Sequence, residues 1–149
     1  MYNIELQRLT LEDAQTRALG AVENLCDKFH LENQFGVISS AANLLISLLE
    51  RCTNDQDEEF TLNFYVESEN FSIQLISYQN LNEVYQLIRN STLEDSDSAA
   101  YSFSLLTDNV ELRNENELWT DIAVSPQFDT ADRAAILKQE EVRTKQLND

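Results

Sequence analysis

The chain has 149 residues, 27 acids against 10 bases, and a formal net charge of −17. That length suits one domain, and a hydrophobic share of 42% is enough to build a core. The charge repels phosphate backbones and anionic lipid, which argues against nucleic-acid binding and against docking on a membrane. Glycine occurs twice, at Gly20 and Gly36, where average usage gives roughly ten. Phosphate-cradling loops rely on glycine for close approach and positive φ, so composition already weighs against nucleotide hydrolysis. Fourteen asparagines supply turns instead. No uninterrupted apolar run reaches ten residues, which predicts no membrane span. The N-terminus lacks the basic-then-apolar order of a signal peptide. Cys26 and Cys52 are too few for a disulfide framework and sit in helix-like context; they read as reduced, buried thiols of a cytoplasmic protein.

Tyr2, Ile4 and Leu6 alternate with polar residues and predict a first strand with one buried face. Thr10 and Asp13 have capping-box spacing, with Leu9 placed as a staple. Leu11, Ala14, Ala18, Val22, Leu25 and Phe29 then follow helical spacing, predicting a helix over 11–29. A turn at 33–36 leads into a second helix that ends near Arg51; its apolar residues lie on most sides, which makes it the central helix. After a polar, acidic loop at 53–59, Phe60 to Val66 and Phe71 to Leu75 alternate as a β-hairpin. Asn80 and Glu83 mark the start of a third helix through Ile88. The polar stretch 91–98 reads as a loop and 99–106 as a short helix. Val110 and Leu112, a turn at 114–116, then Leu118 to Val124 make a second hairpin, which Pro126 ends. We therefore divide the chain into a single domain over 1–126 and a helical or flexible tail over 127–149, the tail either frayed or docking a partner. The fold class is α+β: a two-layer sandwich with helices on one face of a mixed, mainly antiparallel sheet.

This order of strand, helix, buried helix, hairpin, helix, loop, short helix and hairpin resembles the GHKL or histidine-kinase-like ATPase fold. It is most similar to the small bacterial anti-sigma-factor kinases. Those proteins carry Glu, then Asn four residues on, then often His along the second helix. The resemblance aligns these with Asn43, Ser47 and Arg51; another register puts Ser39 and Asn43 at the first two places. Either way the carboxylate base is missing, since an amide or hydroxyl cannot accept the proton as a carboxylate would. The family's Asp-x-Gly, which holds adenine, falls at Ser77 and Gln79, and its Gly-x-Gly lid falls near Ala99 and Ala100. Arg51 is the one nearby candidate to receive phosphates. The resemblance thus implies the scaffold with a degenerate ATP site whose vestigial positions are Asn43, Ser47, Arg51, Ser77, Gln79, Ala99 and Ala100.

Other chemistry is sparse. His30, the single histidine, ends a helix and faces solvent rather than serving as a base. One His and two Cys make no zinc site. The acids Asp55, Asp57, Glu58 and Glu59 lack the central glycine and ligand pattern of a calcium loop. Trp119 falls on the strand face opposite Leu118, Thr120 and Ile122, either as a partner contact or covered by the terminal helix. The expected function is a non-catalytic, anti-sigma-factor-like regulatory domain without cofactor or metal. It would bind a protein with a basic surface, such as a sigma factor or regulator, and could pair with a second copy. Two alternatives are a diverged ATP-binding protein or serine kinase of the same type, and an acidic adaptor or nucleic-acid mimic unrelated to ATPases.

Overall fold

The computed structural model describes residues 2–92, 98–124 and 136–142. The elements run β1 (Tyr2–Leu9), α1 (Ala14–Lys28), a 3-10 turn (Glu32–Gln34), α2 (Phe35–Cys52), β2 (Phe60–Val66) and β3 (Asn70–Ser77). They continue with α3 (Asn82–Arg89), α4 (Ser98–Leu106), β4 (Asn109–Asn114) and β5 (Glu117–Ala123). The strands form one open sheet in the order β1-β2-β3-β5-β4. Among the described residues all four pairings are antiparallel, in place of the expected mixture. The helices bury one face of it, which is the two-layer α+β sandwich expected from the periodicities.

Period-2 alternation builds the core. In β2 and β3, Leu62, Phe64, Val66, Phe71, Ile73 and Leu75 point to the helices and are essentially unexposed. Leu118, Thr120 and Ile122 of β5 join them. Phe64 and Phe71 touch with ring centroids 6.1 Å apart. From the other layer, α1 contributes Ala14, Ala18, Ala21, Val22, Leu25 and Cys26, and α2 contributes Ile38, Ala41, Ala42, Leu45, Ile46, Leu48 and Leu49. By length and composition the stretch Glu32–Cys52 could cross a membrane, with a mean hydropathy of 1.3, something a search for uninterrupted apolar runs overlooks. In the fold, its apolar stripe is packed in the core. Burial also pushes the Cys26 thiol up to about 12, with Glu32 and Asp27 adding to the shift, so this thiol stays protonated and inert.

Inside the core, the Thr120 hydroxyl is buried without a hydrogen-bond partner. An orphaned buried hydroxyl costs about 1–3 kcal/mol. Thr120→Val is therefore expected to raise stability by about 1 kcal/mol, read as a higher urea midpoint at unchanged m-value.

β1 departs from simple alternation. Its register slips between Leu6, opposite Leu62, and Leu9, opposite Phe60, so Gln7 and Arg8 together face Thr61. Arg8 takes φ 55 to make this bulge, which turns Leu9 into the core with no exposure. The Arg17 guanidinium donates to the carbonyl oxygens of Gln7 and Arg8 at 3.1 and 3.3 Å, and it pairs with Asp13 at 3.6 Å. The Thr10–Asp13 box is half made: the Thr10 amide and hydroxyl donate to Asp13 Oδ1 at 2.9 and 3.2 Å, while Asp13 N–H donates to the Thr10 carbonyl rather than to the hydroxyl. The Thr10 amide holds the Asp13 carboxyl below its ordinary range. Helix α1 accordingly starts three residues later than the spacing predicts.

At the other end of α1, His30 adopts φ 58 and Leu31 N–H donates to the Cys26 carbonyl at 2.8 Å, the long bond of a Schellman closure. His30 is exposed, in agreement with its expected position. A left-handed residue with a Cβ is strained by about 1–2 kcal/mol, while glycine costs roughly 0.5–1 kcal/mol in unfolded-state entropy. His30→Gly is expected to stabilise by about 0.5–1 kcal/mol, a rise of a few degrees in a thermal melt.

Of the tail, residues 136–142 are helical. Leu137 is buried and Ile136 packs on the core. Glu140 pairs with Lys28 at 3.4 Å. Lys28 Nζ also lies 4.8 Å from the centre of the Tyr2 ring. Burial pulls the Lys28 pKa down, but the Tyr2 and Glu140 contacts outweigh it and leave the group above its ordinary value. This part of the tail therefore docks on its own domain beside α1. The expected domain boundary at 126 and the acids Glu94, Asp95 and Asp97 lie outside the described residues.

Candidate functional site

The positions aligned with a nucleotide site fall on three elements. Asn43, Ser47 and Arg51 are four residues apart on α2, so they share one side of it; the first two are half-buried and Arg51 is exposed. Ser77 ends β3 and is buried, and its hydroxyl accepts from Gln79 N–H at 3.2 Å. Gln79 follows, half-buried, with Nε2 enclosed and unpartnered. Ala99 is half-buried and Ala100 fully buried in α4, which packs against α2.

Around Ser77 and Gln79 a shallow, half-open depression of about 10 Å³ lies between α2, the acidic loop and β3, lined by Leu49, Thr53, Asp55, Glu58 and Phe60 among others. That volume suits one water molecule and no purine ring. Asn80 Oδ1 accepts from Asn82 N–H at 2.8 Å to start α3. The β4–β5 turn clamps the segment, with Ser77 N–H donating to the Asn116 carbonyl at 3.1 Å and Leu81 N–H to the Glu115 carbonyl at 2.6 Å. These residues thus have local structural partners, and the carboxylates beside Ser77 and Gln79 are Asp55 and Glu58 of the acidic loop. Among the described residues, no three His, Cys, Asp or Glu side chains converge as a metal site.

A different constellation occupies the sheet face turned away from the helices. The register sets it out in rows. One row reads Asn3, Tyr65, Ser72, Asp121 and Asn109; the next reads Glu5, Asn63, Gln74, Trp119 and Glu111. Tyr65 and Trp119 stack with centroids 5.1 Å apart and planes at 26°. The Arg113 guanidinium sits 4.0 Å from the Trp119 ring centre and pairs with Glu111 and Glu117 at 3.5 and 3.9 Å. The Trp119 indole N–H donates to Glu117. Trp119 is therefore off the core face, as its alternation predicts, and among the described residues its ring and ion-pair neighbours come from its own sheet.

Hydrogen bonds lock the rest of this face. Gln74 Oε1 accepts from Asn63 Nδ2 and from the Tyr65 hydroxyl, both at 3.0 Å. Asn63 Nδ2 lies 3.3 Å from Glu5 Oε1. Ser72 Oγ donates to Asp121 at 2.7 Å. Burial raises the Tyr65 pKa, with Glu5 and Glu117 adding to the shift against the opposing Arg113, so its hydroxyl stays a donor through the physiological range. Four acids, Glu5, Glu111, Glu117 and Asp121, share this one face. At its bulged end a groove of about 680 Å³ opens beside Gln7, Thr61 and Ile76, rimmed by Glu59 and Tyr78. Tyr78 is 87% exposed.

No family model matches the chain, and no curated protein matches it.

Proposed function

We propose that this protein is a non-catalytic regulatory domain that acts by binding another protein, built on a scaffold like that of the anti-sigma-factor kinases and working in the cytoplasm. The observation carrying this reading is the tight packing around Ser77 and Gln79, where a depression of about 10 Å³ is too small for a purine ring. The chemistry at the aligned positions points the same way. Phosphotransfer needs a carboxylate or an equivalent base and a metal bridging the phosphates, whereas Asn43 and Ser47 offer an amide and a hydroxyl. A partner with a basic surface suits the strong negative charge, because opposite fields speed encounter and reject acidic competitors.

A thermal melt with and without millimolar Mg-ATP tests the reading. A ligand at 100 times its dissociation constant adds about 2.7 kcal/mol, a shift of several degrees. No shift is the expected result. A clear shift with ATP would instead favour the diverged kinase, and phosphate transfer to a partner would decide for it.

A further inference from the structure

We infer that the open face of the sheet is the docking surface for a cationic, extended segment of a partner protein, with Tyr65 and Trp119 as its platform and the groove at Ile76 as the seat for a neighbouring apolar side chain. This deepens the reading of the domain as a protein-binding module and rests on it.

Three observations meet on that face. All four helices α1 to α4 and the described part of the tail lie in the other layer, so the described residues leave this face uncovered. Its aromatic pair is flanked by four carboxylates and a single base, Arg113. Arg113 lies 4.0 Å over the Trp119 ring, which also stacks on Tyr65, and pairs with Glu111 and Glu117, so the chain's own guanidinium holds that position and a partner's arginine or lysine would meet the surrounding carboxylates and ring edges. The groove continues this surface along the next row, lined by Thr61, Ile76 and the exposed ring of Tyr78 together with the charged pair Arg8 and Glu59. Alternating side chains of an extended segment would place cations against Glu5 and Glu117 and an apolar group in the groove. A second copy is the wrong occupant: face to face, two such surfaces would set like charges together, which costs affinity. Aromatic residues with polar tips, ringed by charges, are the usual anchors of such interfaces.

The test uses the full chain and two fluorescein-labelled synthetic peptides, one alternating arginine with leucine and one alternating glutamate with leucine, in about 0.15 M salt. Label anisotropy measures binding. Trp119, the single tryptophan, reports by its emission whether the peptide sits on this face. The arginine peptide is expected to bind saturably and to change Trp119 emission, and the glutamate peptide to do neither. Glu5→Gln with Glu117→Gln keeps the acceptor oxygens and is expected to weaken binding about tenfold. Tyr78→Ser, at a side chain that packs on little, is expected to weaken it several-fold with an unchanged melting temperature. Asp55→Asn with Asp57→Asn removes equal charge from the acidic loop and is expected to change binding less than twofold. Equal weakening by the loop pair, absence of binding by the arginine peptide, or equal binding of the glutamate peptide would each overturn the proposal. Those failures leave the non-catalytic reading intact, whereas a melt shifted by Mg-ATP would remove that reading without touching this face.

Discussion

Phe64→Ala is expected to lower the unfolding free energy by about 3–5 kcal/mol, while Tyr65→Ala, one residue on, is expected to cost only about 1–2 kcal/mol. The two side chains leave β2 on opposite faces. Phe64 has no exposure, meets Phe71, and stands between Ile4 and Ile73 in the register. Its removal leaves a cavity where sheet and helices meet, and the neighbours are held by their own strands and cannot collapse into it. Tyr65 gives up one ring stack with Trp119 and one hydrogen bond to Gln74, and water can enter the space it leaves. Domains of this kind have about 5–15 kcal/mol in hand, so the first variant approaches the limit of folding at 37 °C and the second does not. Urea unfolding followed by far-UV circular dichroism gives both numbers. Trp119 emission of the native state adds a second readout, changed by Tyr65→Ala and unchanged by Phe64→Ala. Equal costs at the two positions would mean that both faces of the sheet are covered.

Strands and helices were legible because one periodicity governs each. The hairpin at Phe60–Val66 and Asn70–Ser77 follows from strict alternation, and so does the placement of Trp119 opposite Leu118. The bulge at Gln7 and Arg8 was not legible: nothing but Leu9, arriving one place out of phase, marks it, and the residue at φ 55 is an arginine rather than glycine. The half-made cap at Thr10 delayed α1 for a similarly local reason, since Asp13 spends its carboxylate on the Thr10 amide. The site was harder still. Asn63, Gln74 and Glu5 read along the chain as ordinary solvent-side polar residues, and only the cross-strand register makes a network of buried Asn63 and Gln74 with exposed Glu5 beside two aromatic rings. The positions that the resemblance aligns with a nucleotide site lie on α2, at and just past the end of β3, and on α4; that Gln79 ends beside a depression of about 10 Å³ depends on tertiary packing that spacing does not carry.

The pair Ala99→Glu and Ala100→Glu separates a packed α4 from one held open for a ligand. Ala100 has no exposure and belongs to the core, whereas Ala99 is half-buried. A carboxylate at Ala100 has to enter the contact between α4 and α2 without a paired cation, a penalty of about 3–5 kcal/mol or more, and its bulk adds overpacking strain of about 1–3 kcal/mol. At Ala99 the longer side chain can turn toward solvent, and the cost is expected to stay within about 1 kcal/mol. The pH dependence identifies the cause. Burial would raise the pKa of the new carboxyl in the folded state above its unfolded value of about 4.3. Its charge penalty is therefore full above the folded pKa and fades as pH falls through it, leaving only the steric part. Ala100→Glu should thus lie closer to the parent chain at pH 4.5 than at pH 8 in urea midpoint, whereas Ala99→Glu should track the parent at both. A mild, pH-independent effect at Ala100 would show that α4 swings clear of α2 at little cost, the behaviour of a nucleotide lid and not of a wall of the core.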